Sequence, residues 1–472
     1  MVGREKEIAR LNQIYDSDES EFVAVYGRRR VGKTYLVREV FANRILFMHT
    51  GRANAAMKQQ LAAFRASLQE QGLANCPPLG SWLEAFQELK RLINSSGALR
   101  KVLFIDELPW LDTPKSGFLS ELEGFWNQWA SARKDIVLVV CGSATSWIIN
   151  KVLRNRGGLH NRVTAQIPLE PFTLGECERY AVSRGMAPSR AEIVEYYMVL
   201  GGIPYYWRFL DKGLSLSQNI DALFFASGAP LRLEFSELYS SLFRHEEPYV
   251  RIVSALGRRR VGLGREEISE ETGLASNGRL TGLLEELEQC GFIRKYRAFG
   301  LRRREAIYQL IDNFTLFYFQ FMQGNHGGDV NFWSNSINSH VRLAWEGLAF
   351  ERVCLQHVRQ IKAALGISGV LTEVSSWRRP PSANEGRGAQ IDLVIDRADR
   401  LVNLCEMKFS GDEYAIDDAE EKRLRNRRAA FIEETGTRKG CHVTMVTTYG
   451  IKRNRHSGII QSQVTMDQLF AN

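Results

Sequence analysis

One eight-residue stretch, Gly27-Arg28-Arg29-Arg30-Val31-Gly32-Lys33-Thr34, leaves this chain few choices of fold. It follows the apolar run Phe22–Tyr26 and precedes the helical pattern Tyr35–Phe41, so a buried strand must turn sharply into a helix here. In that setting the spacing G-x-x-x-x-G-K-[ST] is a phosphate cradle. Gly27 and Gly32 let backbone N–H groups turn inward, and the helix adds the positive end of its dipole. Lys33 would neutralise β- and γ-phosphates, while the Thr34 hydroxyl would coordinate Mg²⁺. Arg28, Arg29, Arg30, Val31 and Tyr35 complete the candidate nucleotide-contacting stretch.

Such a cradle needs a partner strand that ends in carboxylates. Lys101-Val102-Leu103-Phe104-Ile105-Asp106-Glu107 supplies one. Asp106 is the candidate Mg²⁺ ligand, directly or through water, and Glu107 the group that polarises the attacking water. The next apolar run ends Cys141-Gly142-Ser143-Ala144-Thr145. A small polar residue there can position a lytic water, which makes Ser143 the first sensor candidate and Thr145 the second; a helix N-cap is an equal alternative. Arg162 is either an arginine finger toward a neighbouring copy or a plain surface arginine. Apolar runs at Phe22–Tyr26, Ile45–His49, Val102–Ile105, Ile136–Cys141 and Val163–Ile167 alternate with helical patterns such as Trp82–Ile93 and Phe118–Arg133. That alternation predicts an α/β fold, a parallel sheet covered on both faces, over residues 1–173.

The chain has 472 residues, room for about three domains. Hydrophobic residues at 44% and charged residues at 25% exclude a wholly disordered chain. The net charge of +8 is compatible with a polyanionic partner. Seven scattered cysteines, with no C-x-x-C pair, point away from disulfides and zinc ribbons. No apolar run reaches the ~18 residues of a membrane span, and the charged N-terminus does not look like a signal peptide. A cytoplasmic protein without a membrane partner is expected.

Beyond residue 173 the pattern changes. Residues 174–245 read as helical, broken by the turn Gly201-Gly202-Ile203-Pro204. Residues 246–312 look like a winged helix-turn-helix, with Leu280, Leu283, Leu284 and Leu287 on the buried face of its second helix. The wing carries Arg294, Lys295, Arg297, Arg302, Arg303 and Arg304, suited to phosphate contact. Glu285, Glu286 and Glu288 on the would-be recognition helix argue against sequence reading in a DNA groove. Residues 313–344 read as an aromatic helix followed by a linker, and 345–472 as a further α/β domain.

In that last stretch Gly388–Asp396 and Leu401–Lys408 read as a hairpin that brings Asp392 opposite Cys405 or Glu406. Glu406 and Lys408 then project from one face. Two acids on an apolar sheet repel, and a divalent cation would relieve them; Lys408 would stabilise developing charge or orient water. A salt bridge from Lys408 to either acid is the alternative. A helix bearing Arg423–Arg427 follows and is a candidate nucleic-acid contact.

Two resemblances follow from these residues. Gly3-Arg4-Glu5, the phosphate loop, Phe104-Ile105-Asp106-Glu107 and Leu200-Gly201-Gly202-Ile203-Pro204-Tyr205 resemble the prokaryotic AAA+/STAND-like ATPases called archaeal-type ATPases. This implies ATP and Mg²⁺ as cofactors, Gly3 and Arg4 near the adenine, a helical lid around the Gly-Gly turn, and leaves homo-oligomers open. The D-x(n)-E-x-K set Asp392, Glu406, Lys408 resembles the PD-(D/E)XK nucleases, restriction-endonuclease-like α/β domains. That implies metal ligation by Asp392 and Glu406, a further carboxylate from Glu351 rather than Glu346, Mg²⁺ or Mn²⁺, and DNA as substrate with RNA left open. The whole order of domains resembles prokaryotic ATPases suspected of roles in mobile elements or defence.

Overall fold

The computed structural model describes residues 2–154, 158–159, 161–243, 245–259, 261–297, 299, 306–325, 328–379 and 388–471. The chain divides into two compact units, Met1–Pro171 and Phe172–Asn472.

In the first unit five strands, β1 (Glu21–Tyr26), β2 (Ile45–Thr50), β3 (Lys101–Asp106), β4 (Ile136–Gly142) and β5 (Ala165–Pro168), form a parallel sheet in the order β2-β3-β4-β1-β5. Parallel strands need both faces covered, and β3 and β4 are buried along their whole length. The helices Met57–Glu70, Trp82–Ser95 and Phe118–Gln128 cover one face, where Phe64, Trp82, Phe86, Phe118 and Phe125 interlock as tilted, edge-on and stacked rings. Ser81 starts the second of these helices by accepting from the Glu84 N–H. The order has one consequence for chemistry. The cradle strand β1 and the carboxylate strand β3 are not neighbours; β4 runs between them, so its carboxyl end at Gly142 opens beside both.

The second unit begins with helices Leu174–Ser183 and Arg190–Leu200, each opened by a capping box (Thr173 with Glu176, Ser189 with Glu192). The turn after them requires its glycines. Gly201 has φ +59°, and a Cβ on Gly202 would lie 1.9 Å from the Phe172 carbonyl oxygen, which that turn approaches through the bond Phe172 N–H to Gly202 O. Next, helices Glu247–Gly257, Arg265–Thr272 and Gly278–Gln289 pack with a small antiparallel sheet of β6 (Leu263–Gly264), β7 (Ile293–Arg297) and β8 (Ala306–Leu310), order β6-β8-β7. Leu280, Leu283, Leu284 and Leu287 are all buried there.

The aromatic helix and linker expected over 313–344 share one core: Phe317, Phe321 and Trp333 are buried and pack edge-on with Trp345. Buried Asp221 accepts from the Trp333 and Ser334 N–H groups and seats that segment. The C-terminal sheet comprises β9 (Thr372–Arg379), β10 (Ala389–Arg397), β11 (Leu401–Lys408), β12 (Gly440–Thr447) and β13 (Ser462–Thr465), order β13-β12-β11-β10-β9. β9, β10 and β11 form an antiparallel meander, and β12 and β13 continue it in parallel with β11 after the helix Asp418–Thr435 crosses over.

The stretch expected as a separate lid shares its core with this last part. The Leu174 N–H donates to His357 Nε2 at 3.0 Å, and Asn313 Nδ2 to the Tyr197 carbonyl at 2.6 Å. Burial lowers His357 to about 4, so its imidazole is a neutral acceptor there.

Candidate functional site

The turn between β1 and the helix Lys33–Val40 is built on two left-handed glycines. Gly27 has φ +147°, and a Cβ there would meet the Leu169 carbonyl oxygen at 2.2 Å; Gly32 has φ +94° and opens the helix. Arg30 is also left-handed, with φ 71°. Lys33 is buried and donates to the carbonyls of Gly27 (2.8 Å) and Arg28 (2.9 Å). Its ammonium therefore lies in the mouth of the loop, held only by neutral acceptors that an anionic phosphate outcompetes. Arg4 is buried and fastens the loop from outside, donating to the carbonyls of Val31 at 3.3 Å and Glu170 at 2.6 Å. Gly3 precedes it with φ +65°. Tyr35 is 55% exposed on the helix surface, and Arg28 is buried.

Across the gap, Thr34 Oγ1 donates to Asp106 Oδ2 at 2.8 Å, and Asp106 Oδ1 accepts the Glu107 N–H at 2.9 Å. A hydroxyl and a buried carboxylate already in contact at the end of a parallel strand are a donor set that fits Mg²⁺. Glu107 has φ 49°, an unfavourable backbone for a non-glycine residue. The turn aims its carboxylate back at β4, where it accepts from the Ser143 N–H at 3.2 Å and from the Ser143 hydroxyl. Ser143 thus meets Glu107 directly. Thr145 is buried and begins a short helix. Arg162 is exposed, as either of its readings requires.

In the C-terminal sheet the β10–β11 ladder runs from Asp396 opposite Val402 to Leu393 opposite Cys405, and Asp392 and Glu406 are the next residues beyond its end. A bulge between Ile391 and Val394 on the β9 side kinks β10 at this point. Lys408 Nζ lies 2.8 Å from Glu406 Oε1 and 3.6 Å from Glu420 Oε1. Glu351 is buried on the helix His340–Gln356, close to Cys354, whose thiol is pushed up by burial with Glu351 and Cys405 adding to it. Glu346 is engaged elsewhere, paired with Arg342 at 2.8 Å.

The sequence placed Arg427 on a candidate nucleic-acid-contacting helix but did not show that its guanidinium pairs with the other oxygen of Glu406. Burial alone would raise Glu406, but Lys408 and Arg427 outweigh it and its pKa is lowered. Repulsion between acids is therefore relieved here by cations of the chain itself. Among the described residues no three His, Cys, Asp or Glu side chains converge into a metal-holding group. Glu420, Arg423 and Arg427 stand at i, i+3 and i+7, one face of a helix, and that spacing was the available signal.

The wing is placed differently from the sequence expectation. Arg294 stacks over Tyr296 at 4.4 Å and donates to Gln309 Oε1 at 2.7 Å. Burial lowers its guanidinium to about 10, with Arg352 adding to that and Tyr296 and Asp392 opposing. Arg297 reaches Glu373 of β9 at 3.9 Å, the Phe299 N–H donates to the Ser376 carbonyl, and the Phe299 ring lies 4.8 Å from Phe431. The hairpin packs on β9 where Phe299 meets a hydrophobic cluster; Arg294 is half-buried there, whereas Arg297 stays exposed. Lys295 is exposed, and Arg302, Arg303 and Arg304 lie outside the described residues.

With this geometry in view, residues 1–208 match a protein family described as an ATPase domain predominantly from Archaea. The N-terminal part of the chain is thus an ATPase domain of that type, with a P-loop and a parallel five-stranded α/β sheet. An uncharacterized protein of Methanocaldococcus jannaschii is 25% identical over 427 residues, 86% of this chain and 87% of the relative. A Walker-type ATPase of Pyrococcus abyssi is 18% identical, with a TM-score of 0.49, over 68% of this chain and 96% of that one. The ORC2 protein of Aeropyrum pernix, solved with ADPNP and ADP, is 14% identical, with a TM-score of 0.41, over 66% and 90%. Among the described residues no helix is long and apolar enough to cross a membrane.

Proposed function

We propose that this protein binds and hydrolyses ATP at Lys33, Thr34, Asp106 and Glu107 and couples its nucleotide state to nucleic-acid binding and phosphodiester cleavage in the C-terminal domain. What supports the second half is the β10–β11 ladder, which ends at Leu393 opposite Cys405 and leaves Asp392 and Glu406 as the next residues on the two strands, with Lys408 Nζ 2.8 Å from Glu406. The order helix, three-strand meander, crossover helix and parallel strand supports a restriction-endonuclease-like domain, and the three helices with the hairpin β7–β8 support a winged helix. Asp392 and Glu406, with Glu351, are the residues that would hold Mg²⁺ or Mn²⁺, which supplies an activated water when bound. Lys408 is placed to stabilise charge on the phosphate.

In the ATPase domain Lys33 turns from the loop carbonyls to the phosphates, and Thr34 and Asp106 would hold Mg²⁺. Glu107 must leave Ser143 to orient water, so Ser143 holds it back between turnovers. Purified full-length protein, incubated with Mg²⁺ or Mn²⁺ and a panel of linear, nicked, supercoiled and single-stranded substrates with and without ATP, should cleave at least one. No cleavage of any DNA or RNA form removes the nuclease half.

One observation favours a second reading. Lys408 and Arg427 together satisfy Glu406 without any ion, which suits a nucleotide-dependent switch whose C-terminal domain binds nucleic acid or protein and cuts nothing. Metal titration of the wild type against Asp392→Ala separates the two. Equal metal affinity and equal nucleic-acid chemistry in both proteins leave the switch.

A further inference from the structure

The helix Asp418–Thr435 is acidic at its start and basic after its first turn. Residues 422–428 hold Lys422, Arg423, Arg425, Arg427 and Arg428, with no acid among them. Residues 449–456, Tyr-Gly-Ile-Lys-Arg-Asn-Arg-His, add Lys452, Arg453 and Arg455, again with no acid. Together the two segments hold eight cations and no acid.

The fold brings the two segments together. The loop leaves the carboxyl end of β12 and is tied to the approach to the helix by three contacts. The Tyr414 N–H donates to the Gly450 carbonyl at 2.8 Å, Asn454 Nδ2 to the Ile416 carbonyl at 2.8 Å, and His456 Nδ1 lies 2.6 Å from Glu421 Oε2. Arg423 and Arg425 are spoken for in part, by Glu420 and Glu421. Lys422, Arg428, Lys452, Arg453 and Arg455 have no acidic partner within 4 Å among the described residues, and all but half-buried Arg428 are exposed. Exposed like charges side by side repel one another, an arrangement that a polyanion relieves. Lys408 ends β11 next to β12, so this rim lies at the carboxyl ends of the same two parallel strands as the Glu406–Lys408 pair.

Resting on the nucleic-acid reading above, we infer that this rim, and not the wing, is where the protein docks a nucleic-acid strand, with Lys452, Arg453 and Arg455 on phosphates and Tyr449 under a base. Tyr449 is 44% exposed at the root of the loop and gives the rim an aromatic face. An acidic peptide has no use for that face, whereas a base stacks on it. A lipid surface calls for exposed aliphatic side chains, and Tyr449 is the one large hydrophobic exposed in the two segments.

The test is fluorescence anisotropy with labelled single-stranded and duplex 20-mers, using the full chain in EDTA without nucleotide, so that cleavage plays no part. The wild type should bind with steep salt dependence. The triple variant Lys452→Gln/Arg453→Gln/Arg455→Gln should bind roughly ten-fold or more weakly, and its log–log salt slope should fall by about 2–3. Tyr449→Ala should weaken the single strand roughly ten-fold and the duplex less. Lys295→Gln on β7 should bind as the wild type does. The idea is overturned by a folded triple variant, judged by an unchanged Tm, that keeps wild-type affinity and slope. It is equally overturned by rim-dependent binding to phosphatidylserine vesicles with none to oligonucleotides. Rim-dependent binding without cleavage in Mn²⁺ sinks only the nuclease reading; cleavage with unaltered binding in the triple variant sinks only the rim.

Discussion

The phosphate loop and the C-terminal carboxylate cluster each set a lysine beside acids at the carboxyl ends of parallel strands, yet they are neutralised in opposite ways. Lys33 rests on two backbone carbonyls, neutral acceptors, and faces the Thr34–Asp106 pair without bonding to it. Lys408 and Arg427 instead grip Glu406, charge against charge. A neutral acceptor gives way to an anion at small cost, whereas separating charged partners in a half-buried cluster costs far more. The first site is poised for a ligand; the second is largely self-satisfied and must open to take one.

The largest expected effect tests the poised half of that contrast. Lys33→Ala should weaken ATP binding by about 100-fold or more, measured by titration calorimetry, because its ammonium is held by the loop carbonyls of Gly27 and Arg28 where the phosphates would sit. Undiminished affinity would mean that Lys33 is as self-satisfied as Lys408. Glu107→Gln should still bind ATP but hydrolyse it about 10²–10⁴-fold more slowly in a phosphate-release assay. Equal turnover would take the water-activating role from Glu107.

Arg427→Gln probes the self-satisfied half. Losing one charged hydrogen bond should lower stability by about 1.5–3 kcal/mol in urea unfolding. Removing the competitor should also strengthen Mn²⁺ binding to the C-terminal domain. A more stable variant would show that Arg427 costs more in desolvation than it returns. Ser143→Ala sharpens the comparison by removing a neutral restraint, and a rise of about ten-fold in turnover is expected, with ATP affinity kept; a fall would make Ser143 a positioning residue.

The smallest effect is a pH profile. Glu195 lies 3.8 Å from Arg342, but burial and then the Glu346 charge raise its pKa from 4.5 to about 7. A carboxyl raised on folding binds more protons in the native than in the unfolded state. Its contribution to stability is therefore present below pH 4.5 and lost as pH climbs toward 7. Glu195→Gln should flatten that part of the stability curve, and a curve as steep as the wild type's would assign the slope to another group.

Legibility followed distance along the chain. The phosphate loop, its strand and its helix were readable because eight adjacent residues carry both the backbone requirement and the chemistry. The β10–β11 hairpin was readable because a short turn at Arg397–Arg400 leaves few registers, and the one found is Leu393 against Cys405. The contact of Ser143 with Glu107 was not, since it depends on β4 entering between β1 and β3. Nor was the place of Arg294: it looks like one of a phosphate-binding row until β7 packs against β9 and Phe299 docks beside Phe431, far away in sequence. The part of 313–344 after its aromatic helix looked like a linker because Trp333 finds its partners Phe317, Phe321 and Trp345 only in the folded chain.

The amino-acid order alone determined the nucleotide-binding turn, the parallel α/β character of the first 170 or so residues, and the pairing of Glu406 with Lys408 near the tail. Those features are written in local spacing, where backbone geometry and side-chain chemistry act over a few residues. Tertiary structure alone decided which cation meets which acid. Electrostatic partners are chosen by proximity through space, so Arg427 could be assigned to Glu406 only once the helix that carries it had crossed from β11 to β12.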